Sequence, residues 1–314
     1  MGFKTDWLWI KRRNGNTSHR LIDSSRGADR YLSSDTTNAE DDATGIFTSF
    51  DTNGFTVEGT ANATNGNTNT YVSWNWKANG GTTSSNSDGS ITSTVQANTT
   101  AGFSIVTYTG NATAGATVGH GLGAVPTWYF VKRRSNTGHW ENYHAANTSD
   151  PKSEHLRFTD GATEDSNVYW NDTAPTSTVF SLGNQVNVNE NANTYVAYVF
   201  TQIEGYSKFG GHEGNNSTNG QFIFTGFKPA WVMVKNIDAA GENWHIFDNA
   251  RAPTNVIKAR LIADGNTQEN TNDNIIDFLA NGFKWRDNNA GYNNSNTFIY
   301  FAFAEVPFKY ANAR

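Results

Sequence analysis

The chain has 314 residues, of which 36% are hydrophobic and 17% charged, and its net charge is −6. That balance excludes the basic face that phosphate neutralisation requires, so nucleic acid is not an expected partner. The absence of cysteine excludes disulfides and thiolate metal sites.

Residues Met1 to Asp6 carry no apolar signal core. No apolar run approaches the roughly 20 residues of a spanning helix. Synthesis in a cytoplasm, without export by the usual route and without membrane insertion, is therefore expected. The hydrophobic deficit is filled by Asn, Thr, Ser and 29 Gly. These residues favour turns and solvated strands, because short polar side chains compete for the helical backbone's hydrogen bonds. Aromatic residues reach 13%, with 10 Trp, which sets the chain apart from disordered polar sequence. The reading is all-β, with aromatic cores and long polar loops.

In chain order, an apolar strand ending in Lys comes first, Trp7-Leu8-Trp9-Ile10-Lys11, and recurs as Trp128-Tyr129-Phe130-Val131-Lys132 and Trp231-Val232-Met233-Val234-Lys235. Without alternation, these read as central strands covered on both faces. His19 to Arg26 follows and aligns with Trp244 to Arg251. Trp140 to His144 is a weaker counterpart in the middle copy. Asp23 and Asp248 are each followed three residues later by Arg26 and Arg251, which reads as a buried structural ion pair. Asn53-Gly54-Phe55 and Asn281-Gly282-Phe283 carry turn signals.

An aromatic strand then closes each copy: Thr70 to Trp76, Thr194 to Phe200, and Thr297 to Phe303. Lys11 and Tyr71 are 60 positions apart, and the later two pairs of anchors are each 63 apart. Val72, Trp74 and Trp76 share one face, as do Val196, Tyr198 and Phe200, and Ile299, Phe301 and Phe303, so that face is the expected core. The other face grows more apolar toward the third copy, so the later copies are expected to bury both faces or to pack on each other. Asn274 to Leu279 is the best short helix candidate.

The expected architecture is therefore all-β, with tandem β-sandwich (jelly-roll-like) repeats of short antiparallel strands and long polar loops. Residues 1–78 form a first repeat, 79–102 a linker with one short strand at Ser90 to Val95, 103–205 a second repeat, and 206–314 a third. Repeats two and three open with a leading strand, at Phe103 and Tyr206. The first repeat lacks it and is expected to present an open edge, which a neighbouring subunit or another protein would cap.

Catalytic patterns are not recognised. His139, His144 and His155 lack metal-ligand spacing, and neither Glu40-Asp41-Asp42 nor Asp264 to Asp273 matches a calcium loop. Gly119-His120-Gly121-Leu122-Gly123 leads into a strand, unlike a phosphate loop, which opens a helix. No nucleophile elbow or recurring carboxylate pair appears. The chain is read as non-enzymatic, with no metal and no cofactor. The candidate ligand-binding residues are Trp140, Trp170, Trp244 and Trp285, because aromatics beside polar segments stack on sugars and anchor interfaces.

The stretches Gly205 to Phe209, Gly226 to Lys235 and Phe303 to Arg314 resemble a family of tandem-repeat virion proteins. These are common in marine phages, including those of cyanobacteria, and are described as tail-fibre-like or structural. The resemblance implies a virion location, on tail or capsid, after synthesis in the host cytoplasm. It implies a tail-fibre or receptor-binding role, with other virion proteins and a host surface glycan or receptor as partners. Fibres of this kind are commonly homotrimers. A capsid decoration or head-fibre protein, and a free carbohydrate-binding lectin, are the competing readings.

Overall fold

Apolar β-branched and aromatic runs between Gly/Asn-rich turns fold as strands because each buries large side chains on a pleated surface. The computed structural model describes residues 2–147, 154–158 and 161–305. Unit one holds β1 (Trp7–Arg12), β2 (Arg20–Asp23), β3 (Arg30–Tyr31), β4 (Asp41–Asp42), β5 (Phe47–Asp51), β6 (Gly54–Val57) and β7 (Tyr71–Trp76). Next come β8 (Ser84–Asn86) and β9 (Ser93–Asn98). Unit two holds β10 (Phe103–Thr109), β11 (Ala116–Gly119), β12 (Trp128–Arg133), β13 (Trp140–His144), β14 (Glu154–Arg157), β15 (Glu164–Asp165), α1 (Asn167–Trp170), β16 (Val179–Leu182), α2 (Val186–Asn189) and β17 (Thr194–Phe200). Unit three holds β18 (Ser207–Glu213), β19 (Phe222–Phe224), β20 (Pro229–Asn236), β21 (Trp244–Asp248), β22 (Leu261–Ile262), β23 (Ile276–Leu279), β24 (Gly282–Trp285) and β25 (Thr297–Ala304).

The fold is all-β, and every ladder between these strands is antiparallel. Among the described residues, no helix is long and apolar enough to cross a membrane.

The three main sheets share one strand order. β1 lies between β2 and β7, β12 between β13 and β17, and β20 between β21 and β25. Their register is the same as well. Trp7, Trp128 and Trp231 stand opposite Asp23, His144 and Asp248 on one side. On the other side they stand opposite Trp76, Phe200 and Phe303. The Trp…Lys anchors are thus central strands, buried along almost their whole length.

Both sheet faces are covered. The outer face of each main sheet packs over a local core against smaller elements: Leu8, Ile10 and Phe47 in unit one, Tyr129, Trp170 and Phe180 in unit two, and Phe247, Phe283 and Trp285 in unit three. The inner faces of all three sheets meet in a single aromatic core that includes Trp7, Trp76, Trp128, Phe200, Trp231 and Phe303. Trp7 stacks on Tyr198 at 4.5 Å, Trp128 meets Phe301 at 4.4 Å, and Trp76 meets Trp231 at 5.9 Å. Ring pairs of this kind bridge every pair of units. Trp-sized side chains reach far enough to fill the space between three sheets, and offset or edge-on pairs are favourable beyond their buried area.

Two expectations are corrected. The segment 79–102 is not a linker with one strand, because β8 and β9 within it extend the second unit's sheet outward from β10. Asn274 to Leu279 is not helical: Ile276–Leu279 pairs with Gly282–Trp285 as a hairpin, the strand spacing having prevailed over the helical one. The Asn281-Gly282 turn belongs to that hairpin, and a Cβ on Gly282 would sit 2.1 Å from the Ile223 carbonyl oxygen, so the close approach of β19 requires glycine. The open edge expected of unit one is not on β1, which is central in its sheet. It falls on β7.

Candidate functional site: inter-unit locks and an open strand edge

The four tryptophans expected to meet a ligand are all fully buried. Trp170 packs in the second unit's outer core and Trp285 in the third's. Trp140 and Trp244 sit in the shared core, where their indole N–H groups reach across unit boundaries. Trp140 Nε1 donates to the Ser33 carbonyl at 2.8 Å, and Trp244 Nε1 to the Arg157 carbonyl at 3.0 Å. Sugar stacking needs an accessible ring face, so this assignment is corrected. The polar end of each of these two rings, Trp140 and Trp244, is satisfied by a backbone carbonyl of an adjacent unit.

His19 fills the same place in unit one, with Nε2 2.9 Å from the Ile262 carbonyl. Its Nδ1 accepts from Trp9 Nε1 at 2.7 Å. A carbonyl only accepts, so Nε2 carries the hydrogen and the ring is neutral. Burial accordingly pushes the His19 pKa down to about 4.

These bonds run in a cycle, from two to one, three to two and one to three. A backbone bond runs the other way round at each boundary. Glu40 N donates to Arg134 O at 2.9 Å, Thr163 N to Ile237 O at 3.0 Å, and Glu269 N to Arg13 O at 2.8 Å.

The Asp–Arg pairs lie at two of the three boundaries. Arg26 joins Asp23 and also meets Glu40 at 2.9 Å. Glu40 accepts a two-toothed contact from Arg134 at 2.9 Å, and Tyr198 Oη donates to Asp23 at 2.7 Å. In unit three, Arg251 joins Asp248 at 2.6 Å and Glu269 at 2.9 Å. Arg13 grips Glu269 through Nε and Nη2, and Trp74 Nε1 donates to Asp248 at 3.0 Å. The third boundary holds uncharged counterparts at all five positions: His144, Asn147, Thr163, Ile237 and Phe301. Thr163 Oγ1 donates to Asn147 Oδ1 at 2.6 Å, and His144 meets the Phe301 ring edge-on at 4.8 Å. Phe301 has no donor for a carboxylate, so an imidazole takes the Asp position. Burial pushes the His144 pKa down to about 3.

The acidic stretches considered for calcium are engaged elsewhere. Glu40 belongs to the first lock, and Asp264 Oδ1 accepts from Trp244 N at 2.9 Å. Among the described residues, no three His, Asp or Glu side chains converge on a point that could hold a metal ion. Glu141 is buried between Arg157, at 3.1 Å, and Asn187, at 2.7 Å, and desolvation raises its pKa to about 7. It ties β13 to β14 and α2.

These burials set an acid response. Desolvation holds His19 and His212 near 4, and His144 and His245 near 3, against about 6.5 when unfolded. Below pH 6.5 the unfolded chain binds protons that the folded chain refuses, so stability falls by about 1.4 kcal/mol per pH unit for each such group. Glu141 and Asp264, both raised by desolvation to about 7, act in the opposite sense, because the folded state binds their protons first. Four groups outweigh two. The melting temperature should fall between pH 7 and pH 4.5 in a thermal scan, and an unchanged or rising value would refute this assignment of buried neutral histidines.

Two surface features stand out. Phe222 and Phe224, on the edge strand β19, are 44% and 56% exposed, with Lys208 Nζ 5.6 Å from the Phe224 ring centre. Sequence reasoning missed them. Their signal is Phe222-Ile223-Phe224, a strand apolar on both faces whose middle residue alone turns inward. The second feature is the outer edge of β7, which no strand pairs among the described residues. A cavity of about 320 Å³ lies beside it, lined chiefly by Trp74, Trp76, Tyr206, Trp231 and Phe303.

These features define an all-β protein of three repeated sheets closed in a ring on a shared aromatic core, with one strand position open. The chain belongs to the DUF7483 family, a domain of unknown function, whose pattern matches residues 1–307 and so takes in all three repeats as one domain. Comparison with curated proteins and with solved structures found no match.

Proposed function

We propose that this chain is a non-enzymatic structural component of a phage particle, acting as a tail-fibre or receptor-binding element. The observation that carries this reading is the cyclic closure of three equal-register sheets on one core. Fibre tips commonly obtain a three-fold body from three chains, whereas here one chain supplies all three units. Its charged and titratable clusters serve mainly to join those units. Such a body suits a passive, rigid knob, and the exposed Phe222 and Phe224 give it an apolar contact for a host surface receptor or a neighbouring particle protein.

The test is to image purified particles carrying a label specific for this chain. Label confined to the tail or its fibres is expected. Label spread over the shell would transfer the role to capsid decoration or a head fibre, and particles without label would end the virion reading.

A further inference from the structure

Unit two carries a hairpin that unit three lacks. Its second strand, β9, pairs antiparallel with β10, with Ala97 opposite Ser104 and Val95 opposite Val106. The chain just before β9, from Asn86 to Ile91, runs along the outer edge and face of β11. Ile91 N donates to the Thr117 carbonyl at 3.0 Å, and Thr117 N donates to Ser90 Oγ at 2.9 Å. A Cβ on Gly119 would collide with the Asn86 side chain. One hairpin therefore covers two strand edges, that of β10 in the main sheet and that of β11 in the smaller one.

The matching strands of unit three are β18 and β19. Ser207 pairs with Phe303 as Phe103 pairs with Phe200, which sets Lys208 and Gly210 in the places of Ser104 and Val106. Ile223 pairs with Phe283 as Val118 pairs with Phe180, which sets Phe222 and Phe224 in the places of Thr117 and Gly119. Both β18 and β19 end their sheets, and no strand pairs either outer edge among the described residues. The surface differs to match. Where unit two has a threonine and a glycine against polar Ser90 and Asn86, unit three has two exposed phenylalanines. Where unit two has Ser104, fully buried beside Ala97, unit three has Lys208. Its ammonium lies 5.6 Å from the Phe224 ring centre and meets no carboxylate among the described residues.

We propose that the joint edge of β18 and β19 is the docking site for an extended segment of a partner protein. The segment adds antiparallel to β18 as β9 adds to β10, and main-chain hydrogen bonds supply its affinity. Its preceding turn lays apolar side chains on Phe222 and Phe224, and a carboxylate opposite Lys208 takes the place of Ala97. Specificity then comes from one charge pair and two apolar contacts beside a ladder that any extended chain could form. An edge carrying two phenylalanines is otherwise a hazard for uncontrolled pairing, which a dedicated strand removes. The site rests on the apolar contact assigned above to Phe222 and Phe224 but not on a virion location, so peptide binding and particle labelling fail separately.

Unit two supplies the probe. A synthetic peptide of residues 84–98 carrying Asn86→Leu, Ser90→Val and Ala97→Glu offers the two apolar contacts and the carboxylate in the register of β9. Added to the whole chain, it should slow amide exchange in Ser207–Glu213 by about tenfold or more and leave the other open edge, β7, unchanged. Lys208→Glu should abolish this protection, and the same peptide with Ala97→Lys in place of Ala97→Glu should restore it. Phe222→Ser together with Phe224→Ser should also abolish it, with circular dichroism checking that these surface variants stay folded. No protection of β18 at millimolar peptide, protection of β7 instead, or protection undiminished in Lys208→Glu would each overturn the site. Slow exchange at β18 in the peptide-free chain that is lost on dilution, with a dimer seen by light scattering, would show that a second copy fills the edge and would overturn a separate partner.

Discussion

Replacing Trp7 by Ala should cost about 3–5 kcal/mol and lower the melting of all three units together. Trp7 is fully buried on β1, yet its ring contacts belong mostly to unit two: Tyr198 at 4.5 Å and Phe103 and Phe130 at 5.8 Å, in addition to Trp76 at 4.3 Å in its own sheet. The void left by the indole would open between the sheets of two units whose facing rings are already packed into one core, so little collapse is available to offset it. Calorimetry should show one transition in both the parent and the variant, shifted downward in the variant. Two resolved transitions, with units two and three melting at the parental temperature, would mean that the shared core is not the cooperative unit.

The repeats and their core-facing sides were legible in the sequence because they depend on local pattern. The Trp…Lys strands are apolar without alternation, and β7 alternates strictly, so each announces its burial. The Asp–Arg pairs were legible for the same reason, three residues apart in one turn. Their carboxylate partners were not. Glu40 lies 17 residues beyond Asp23, whereas Glu269 lies 21 beyond Asp248, and unequal loops conceal the correspondence. Trp140 and Trp244 misled because polar neighbours in sequence suggest exposure. Here the strands that carry them pair within their own unit, while the indole N–H groups reach carbonyls of another unit, and no local pattern encodes that ring of contacts. The strands at 84–98 are Ser/Thr-rich and half exposed, so their composition resembles a linker even though β10 templates them.

The sharpest consequence of the ring lies in its unlike boundaries. Arg26→Ala should cost about 3–5 kcal/mol, because it leaves Asp23 buried without its cation and Glu40 with only Arg134. The charged set is not required for the geometry, since the boundary between units two and three achieves the same strand placement with His144, Asn147, Thr163, Ile237 and Phe301. Transplanting that set into the first boundary, as Asp23→His, Arg26→Asn, Glu40→Thr, Arg134→Ile and Tyr198→Phe together, should therefore recover most of the loss. Each of the five changes alone should be destabilising, because members of one buried network do not contribute additively. Urea denaturation of the single and fivefold variants measures this directly. A fivefold variant no more stable than Arg26→Ala would mean that the uncharged boundary depends on surroundings particular to units two and three. A cost below about 1 kcal/mol for Arg26→Ala would place the lock among surface ion pairs, against its burial. If both expectations hold, the three boundaries are interchangeable solutions to one packing problem, and the charge in two of them serves to specify which unit meets which rather than to hold the ring closed.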